Sequence, residues 1–182
     1  MANGAVRSTH YSEAALAAEL ERLGLRFVTS SAEDVLPSAL SPADLIAALA
    51  SSKEARLRMA LIPLFIAHPE YSRFVSQVSQ ELIGQAQVTL VCYYTAAILL
   101  QRKYAQRLLQ LGLKVSELPD IFGHSLALPL NSSADDLLLC LAEQQTQMSG
   151  RPINWYGTYE HAMERFIRRL ELEVQWRNGE RR

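Results

Sequence analysis

Four histidines are the side chains of this sequence best suited to acid–base or metal chemistry: His10, His68, His124 and His161. A helical bundle can build a di-metal site from Glu-x-x-His pairs on facing helices, and many zinc enzymes use a His-Glu-x-x-His motif. Neither pattern occurs in the sequence. We therefore predict no metal site and no cofactor.

Asp120 and His124 come closest to an acid–base pair, because residues four apart lie on one face of a helix. Pro119 and Gly123 disfavour a helix there, and the sequence pattern leaves the structure of residues 115–131 open. We interpret His124 as a loop or capping residue. A helical enzyme or ligand-binding protein with a pocket near Asp120 and His124 stays as an alternative.

No Gly-rich phosphate loop and no Gly-x-Ser-x-Gly motif is present, so the sequence favours a non-enzymatic protein. Cys92 and Cys140 each lie in an apolar run, without metal-ligand spacing, as expected for small core residues in a reducing compartment. The first residues resemble neither a signal peptide nor a transit peptide. We expect a cytoplasmic protein.

A cluster of aromatic residues precedes the Arg-rich segment near the end of the chain. It contains Trp155, Tyr156 and Tyr159, and Trp176 follows at the far end of the same predicted helix. Two interpretations are open: Trp155 and Tyr159 anchor the last helix to the core, or the four aromatic residues contact a protein partner or a second copy of the chain. The leading functional hypothesis is a helical protein-protein interaction module or regulatory partner protein.

The alternative from another class is a nucleic-acid-binding regulator that uses the helices between residues 41 and 82. Its phosphate contacts would be Lys53, Arg56, Arg58 and Arg73. Eighteen basic and nineteen acidic side chains give a net charge of -1, which is not typical of a dedicated nucleic-acid or membrane-surface binder. Nucleic acid is therefore the less favoured partner, and we expect no membrane association.

Helix start and stop signals divide the chain. Ser12, Ser41 and Ser133 are each placed to cap a helix, and Gly24, Gly112 and Gly150 are each placed to end one. Ser51-Ser52-Lys53-Glu54 fits a capping box for a helix from Lys53, which Pro63 should kink or break. Pro69 should start another helix that continues to about Leu82.

The longest predicted helix runs from Gln85 to about Leu111, and its middle is apolar on every side. Its most apolar stretch, residues 88–100, is 13 residues long, whereas a membrane span needs roughly 20. Whether Tyr93, Tyr94 and Tyr104 line a pocket or fill the core stays open. The last helix is predicted from about Tyr159 to Trp176.

These elements predict an all-α protein. We expect a single-domain helical bundle of about six to seven helices around a long central apolar helix, with residues 12–182 in the domain and residues 1–11 disordered.

Two segments carry a resemblance to a known group of proteins: Ser41-Pro-Ala-Asp-Leu-Ile46 and the run from Arg56-Leu-Arg-Met-Ala to His68-Pro69. They resemble small helical bacterial proteins encoded beside minimal nucleotidyltransferases, in a context like that of toxin-antitoxin pairs. The resemblance covers about a sixth of the chain and contains no catalytic motif. It implies a small helical protein that works with a partner.

Overall fold

The computed structural model describes residues 11–25, 40–114, 116–129 and 132–179. Within these ranges the chain forms helices and no strand, which confirms the all-α class. The elements are α1 (Glu13–Arg22), α2 (Pro42–Ser51), α3 (Ala55–Met59), α4 (Leu61–Ala67), a 3₁₀ helix (Pro69–Phe74), α5 (Val75–Glu81), α6 (Gly84–Lys103), α7 (Ala105–Gln110), α8 (Ala134–Ser149) and α9 (Trp155–Gly179). The predicted disorder of residues 1–10 lies outside the described residues, whereas Tyr11 is half-buried against the core.

Three serines begin helices where the sequence predicts them. Each hydroxyl accepts a hydrogen bond from the backbone amide three residues later, at 3.2 Å for Ser12 and 3.1 Å for both Ser41 and Ser133. These amides have no partner within the helix, so the caps satisfy them. Gly150 ends α8 in the left-handed conformation, with a φ of 65° that residues with a Cβ rarely adopt.

The predicted capping box after α2 does not form. The helix that follows begins at Ala55, and the Ser52 hydroxyl accepts from the Glu54 amide at 3.1 Å within the turn. Arg58 donates to the carbonyl oxygens of Ser52 and Lys53, both at 2.7 Å. The guanidinium of α3 therefore satisfies two carbonyls of the turn that follows α2.

Pro63 breaks the apolar segment as predicted. The ring of a proline clashes with the carbonyl four residues earlier, and α3 ends at Met59, which holds that position. The chain turns at Ala60 and continues as α4, where residues 61–66 are all buried. One predicted helix is therefore two. The segment from Pro69 is likewise divided, because its first turns are a 3₁₀ helix.

Helix α6 lies inside the bundle. Twelve of its 20 residues are buried, and it contacts α2, α4, α5, α8 and α9. The prediction that this helix continues to Leu111 is wrong, because it ends at Lys103 and Tyr104 has φ −102° and ψ 12° before α7 begins. The longest described helix is instead α9, with 25 residues.

Aromatic side chains of α6 fill the core. Tyr94 packs edge-to-face on Phe65 with ring centroids 4.9 Å apart, and its hydroxyl donates to the Pro119 carbonyl at 2.8 Å. Tyr93 packs edge-to-face on Tyr159 of α9, at 5.8 Å. Two of the three tyrosines left open by the sequence are thus core residues, and burial raises the pKa of each to about 12.

Candidate functional site

The first two turns of α9 belong to the core. Trp155 is 5% exposed and Tyr159 is fully buried. The helix begins at Trp155, four residues earlier than predicted, so both rings lie on the buried face. The prediction that Trp155 and Tyr159 contact a partner is therefore wrong, and the alternative that they anchor the helix is confirmed.

Tyr156 lies beside them in a polar cluster that joins α6, α8 and α9. The Lys103 ammonium is 2.5 Å from Asp135 Oδ1 and 2.9 Å from Glu160 Oε1. The Tyr156 hydroxyl donates to Asp135 Oδ1 at 2.9 Å, and the Tyr104 hydroxyl donates to Glu160 Oε2 at 2.6 Å. Both carboxylates in the cluster are therefore paired with donors from other helices.

The electrostatics of this polar cluster favour the charged forms of Lys103 and Asp135. Burial disfavours the Lys103 ammonium, but the carboxylates of Asp135 and Glu160 outweigh it and raise the lysine pKa above its ordinary value. Hydrogen bonds from Lys103 and Tyr156 lower the pKa of Asp135. Burial and the bond to Glu160 raise the pKa of Tyr104 to about 12. The charged hydrogen bonds of the polar cluster therefore connect α6, α8 and α9 to one another.

The second half of α9 is less buried than the first, although Ile167 and Leu170 still pack against the core. Phe166 is its last fully buried residue, and the remaining 13 residues of the helix correspond to about 20 Å of length. Leu172 is 48% exposed and Trp176 is 75% exposed. An exposed tryptophan beside an exposed leucine is typical of a binding surface, because Trp is enriched in the centres of interfaces. We call residues 167–179 the distal segment of α9.

An open groove runs along one side of this distal segment. It has a volume of about 750 Å³ and is lined on one wall by Tyr104 and Arg107 and on the other by residues that include Ile167 and Leu172. Arg107 forms an ion pair with Glu171 across it. Tyr104 therefore lines a groove, unlike Tyr93 and Tyr94, but the groove is wide open to solvent.

The basic residues of the nucleic-acid alternative are dispersed among intramolecular contacts. Arg58 donates to two backbone carbonyls, Arg56 lies 3.2 Å from a carboxylate oxygen of Glu13, and the Arg73 guanidinium lies 4.7 Å from the Phe74 ring centroid. Lys53 is exposed. These groups do not form one row of unengaged cations such as a phosphate backbone requires.

Asp120 and His124 are both exposed. The Asp120 carboxylate accepts from the Gly123 amide at 2.8 Å, which closes a turn instead of orienting the histidine. Neither residue lines the groove beside α9. The structure does not bring this pair together as an acid–base site.

Within the described ranges, no three His, Cys, Asp or Glu side chains lie close enough together to hold a metal ion. No helix in this part of the chain is both long enough and apolar enough to cross a membrane. Searches with family models, against curated proteins and against solved structures find no match to the chain. The resemblance to proteins encoded beside minimal nucleotidyltransferases therefore stays a prediction.

Sequence reasoning named Trp176 but missed its neighbours. Leu172 and Arg168 lie four and eight residues before it on an exposed face of α9. A signal was present, since Met163, Phe166, Ile167, Leu170 and Val174 follow helical spacing as one apolar stripe and Leu172 falls outside it. The Lys103 cluster was missed because its members are far apart in the chain, and no local pattern links them.

Proposed function

We propose that this chain is a non-enzymatic, cytoplasmic interaction module, and that it binds a protein through the distal segment of α9. The observation that carries the proposal is the exposure of Trp176 and Leu172 on a helix whose first half is anchored in the core. A rigid helix that presents a large aromatic residue loses little conformational entropy on binding.

Three features support a binding role over catalysis. The polar cluster around Lys103 is satisfied by its own members, the groove beside α9 is open, and the Asp120 carboxylate is bonded to the Gly123 amide. Catalysis generally needs a polar group directed into an enclosed pocket. The cytoplasmic location is supported by two thiols that form no disulfide, Cys92 in the core and the half-buried Cys140.

The test is affinity capture from source cells with three tagged versions of the full chain. These are the wild type, the double variant Leu172→Ser/Trp176→Ser and the matched control Ile83→Ser. Ile83 is 84% exposed between α5 and α6, so its substitution removes exposed apolar surface outside the distal segment. Each capture is divided into nuclease-treated and untreated halves.

We expect the tagged wild type to capture a stoichiometric amount of one protein, either another protein or the untagged chain, and nuclease treatment should not release it. The wild type and Ile83→Ser should retain it, and the double variant should lose it while keeping its free energy of unfolding. Equal capture by all three versions would overturn the proposal. Recovery of nucleic acid alone would also overturn it and would favour the alternative that uses Lys53, Arg56, Arg58 and Arg73.

A further inference from the structure

Three exposed residues of the distal segment follow a spacing that is symmetric about Leu172. Arg168 lies four residues before it and Trp176 four residues after it. Residues four apart share a helix face, so the three side chains form one row. Arg168 and Trp176 are separated by eight residues, or about 12 Å along the helix, and so cannot stack on each other within one chain.

Both ends of this row lack a partner in the described part of the chain. The Arg168 guanidinium makes no hydrogen bond or ion pair with any described residue, and 75% of Trp176 is exposed. Among aromatic rings, tryptophan binds a guanidinium best, because the negative face of its π system meets the positive charge. The row therefore carries a guanidinium and an indole ring that could form a cation–π contact, but not with each other within one chain.

We propose that a second copy of this chain binds the row, with the two α9 helices antiparallel about a two-fold axis beside Leu172. This inference rests on the proposed function, since it names the partner of the same surface. A two-fold axis pairs residues at equal distances on either side of it. The two Leu172 side chains then pack together, and each Arg168 stacks on Trp176 of the other copy.

A parallel arrangement of the two α9 helices would not pair Arg168 with Trp176. Two parallel helices would set Arg168 against Arg168, and like charges in direct contact are destabilising. Beside the row, Arg169 and Glu173 already pair within the helix at 2.8 Å, so they add no net charge that would repel a second copy. Because only one leucine and one tryptophan per chain are buried, the contact is small and the dimer should be reversible.

The first test is sedimentation equilibrium of the full chain over a concentration series. The wild type should show a monomer–dimer equilibrium, and Arg168→Glu should raise the dissociation constant at least about tenfold by removing the cation. The double variant Arg168→Glu/Trp176→Arg should restore it to within about threefold, because opposite charges again face each other across the axis. Arg102→Glu, the same charge change on the exposed face of α6, is the matched control and should match the wild type.

The second test locates the axis by a disulfide. In a Cys140→Ser background, Leu172→Cys should form a covalent dimer on mild oxidation, since residues on a two-fold axis bring their Cβ atoms together. Leu109 on α7 is more exposed than Leu172, 60% against 48%, but lies off the proposed axis, so Leu109→Cys should stay monomeric.

A chain that stays monomeric at every concentration would overturn the second copy as the partner. So would a dimer that is insensitive to Arg168→Glu, or one in which the double variant fails to recover. The proposed function is tested separately. If Leu172→Ser/Trp176→Ser loses a captured protein other than this chain, the proposed function holds even if the chain is monomeric. If neither self-association nor such a partner depends on the distal segment, both proposals fail.

Discussion

Tyr159 and Gln145 form a hydrogen bond in the core, between α9 and α8. The tyrosine hydroxyl donates to Gln145 Oε1, and both side chains are fully buried. Burial raises the pKa of Tyr159 far above its ordinary value, so the phenol stays neutral. The Nε2 group of Gln145 has no partner among the described residues, so the Tyr159 hydroxyl, through Oε1, is the one described hydrogen-bond partner of this side-chain amide.

Removal of that hydroxyl should destabilise the fold more than its small size suggests. Tyr159→Phe leaves a buried amide with no partner, and we expect the free energy of unfolding to fall by about 1–3 kcal/mol. The double variant Tyr159→Phe/Gln145→Leu should recover most of the loss, because an apolar pair has no group to satisfy. Urea unfolding measures both.

The control for this hydroxyl is Tyr156→Phe, which removes an identical group from a half-buried position. Water can replace its bond to Asp135, so we expect a change within about 0.5 kcal/mol. Equal losses of unfolding free energy for Tyr159→Phe and Tyr156→Phe would mean that burial does not determine how much each hydroxyl contributes to stability.

The polar cluster around Lys103 connects elements rather than single residues. It joins the end of α6 to the first turn of α8 through Asp135 and to α9 through Glu160. Asp135 is also placed where the α8 dipole favours a negative charge. The break at Tyr104 belongs to the same arrangement, because the tyrosine hydroxyl is bound to Glu160 while Lys103 reaches both carboxylates. These contacts join residues far apart in the chain, so no local sequence pattern indicates them, and they lie where α6 ends earlier than predicted.

The cluster predicts a pH dependence. A carboxyl group whose pKa is lower in the folded state stabilises the fold at pH values above its unfolded pKa of about 3.9. That contribution is lost as the pH falls below this value and through the folded pKa. The pKa of Asp135 is lowered. At neutral pH, Asp135→Asn should reduce the free energy of unfolding by about 0.2–1 kcal/mol, a small value because the side chain is half exposed.

That difference between wild type and Asp135→Asn should shrink as the pH is lowered through about 4, as measured by urea unfolding across a pH series. Glu117→Gln removes an exposed carboxylate that makes no described contact, so it should have no effect across the series. A difference that persists at low pH would show that Asp135 acts through something other than its charge.

At the scale of the whole molecule, α9 divides into an anchored half and an exposed half. The buried residues form one cluster that includes Leu16 of α1 and Phe166 of α9. Beyond Phe166 the side chains are half-buried or exposed. The two tryptophans of the chain lie on opposite sides of this division, Trp155 in the core and Trp176 outside it.

The two tryptophans should therefore respond oppositely to truncation. Trp155→Ala should lower the free energy of unfolding by about 3–5 kcal/mol, because it leaves a cavity in the core. Trp176→Ala should change it by no more than about 0.5 kcal/mol when measured at a concentration where the chain is monomeric. A large loss at Trp176 would place that ring in the core and remove the basis of the proposed surface.

The sequence by itself determined the class of the fold and most helix ends. Ser12, Ser41 and Ser133 cap helices, and Pro63 divides one, because these effects act within a few residues of the chain. The anchoring of Trp155 and Tyr159 was one of two interpretations that the sequence allowed.

Only the tertiary structure decided between those interpretations and revealed the polar cluster and the row on α9. Lys103, Asp135 and Glu160 are brought together by packing of distant helices, and Arg58 holds the turn between α2 and α3, where the sequence predicted a capping box. Exposure is likewise a property of the assembled core, which covers Trp155 but leaves Trp176 in solvent. Local propensities act over one helical turn, whereas burial and ion pairing depend on which helices pack together.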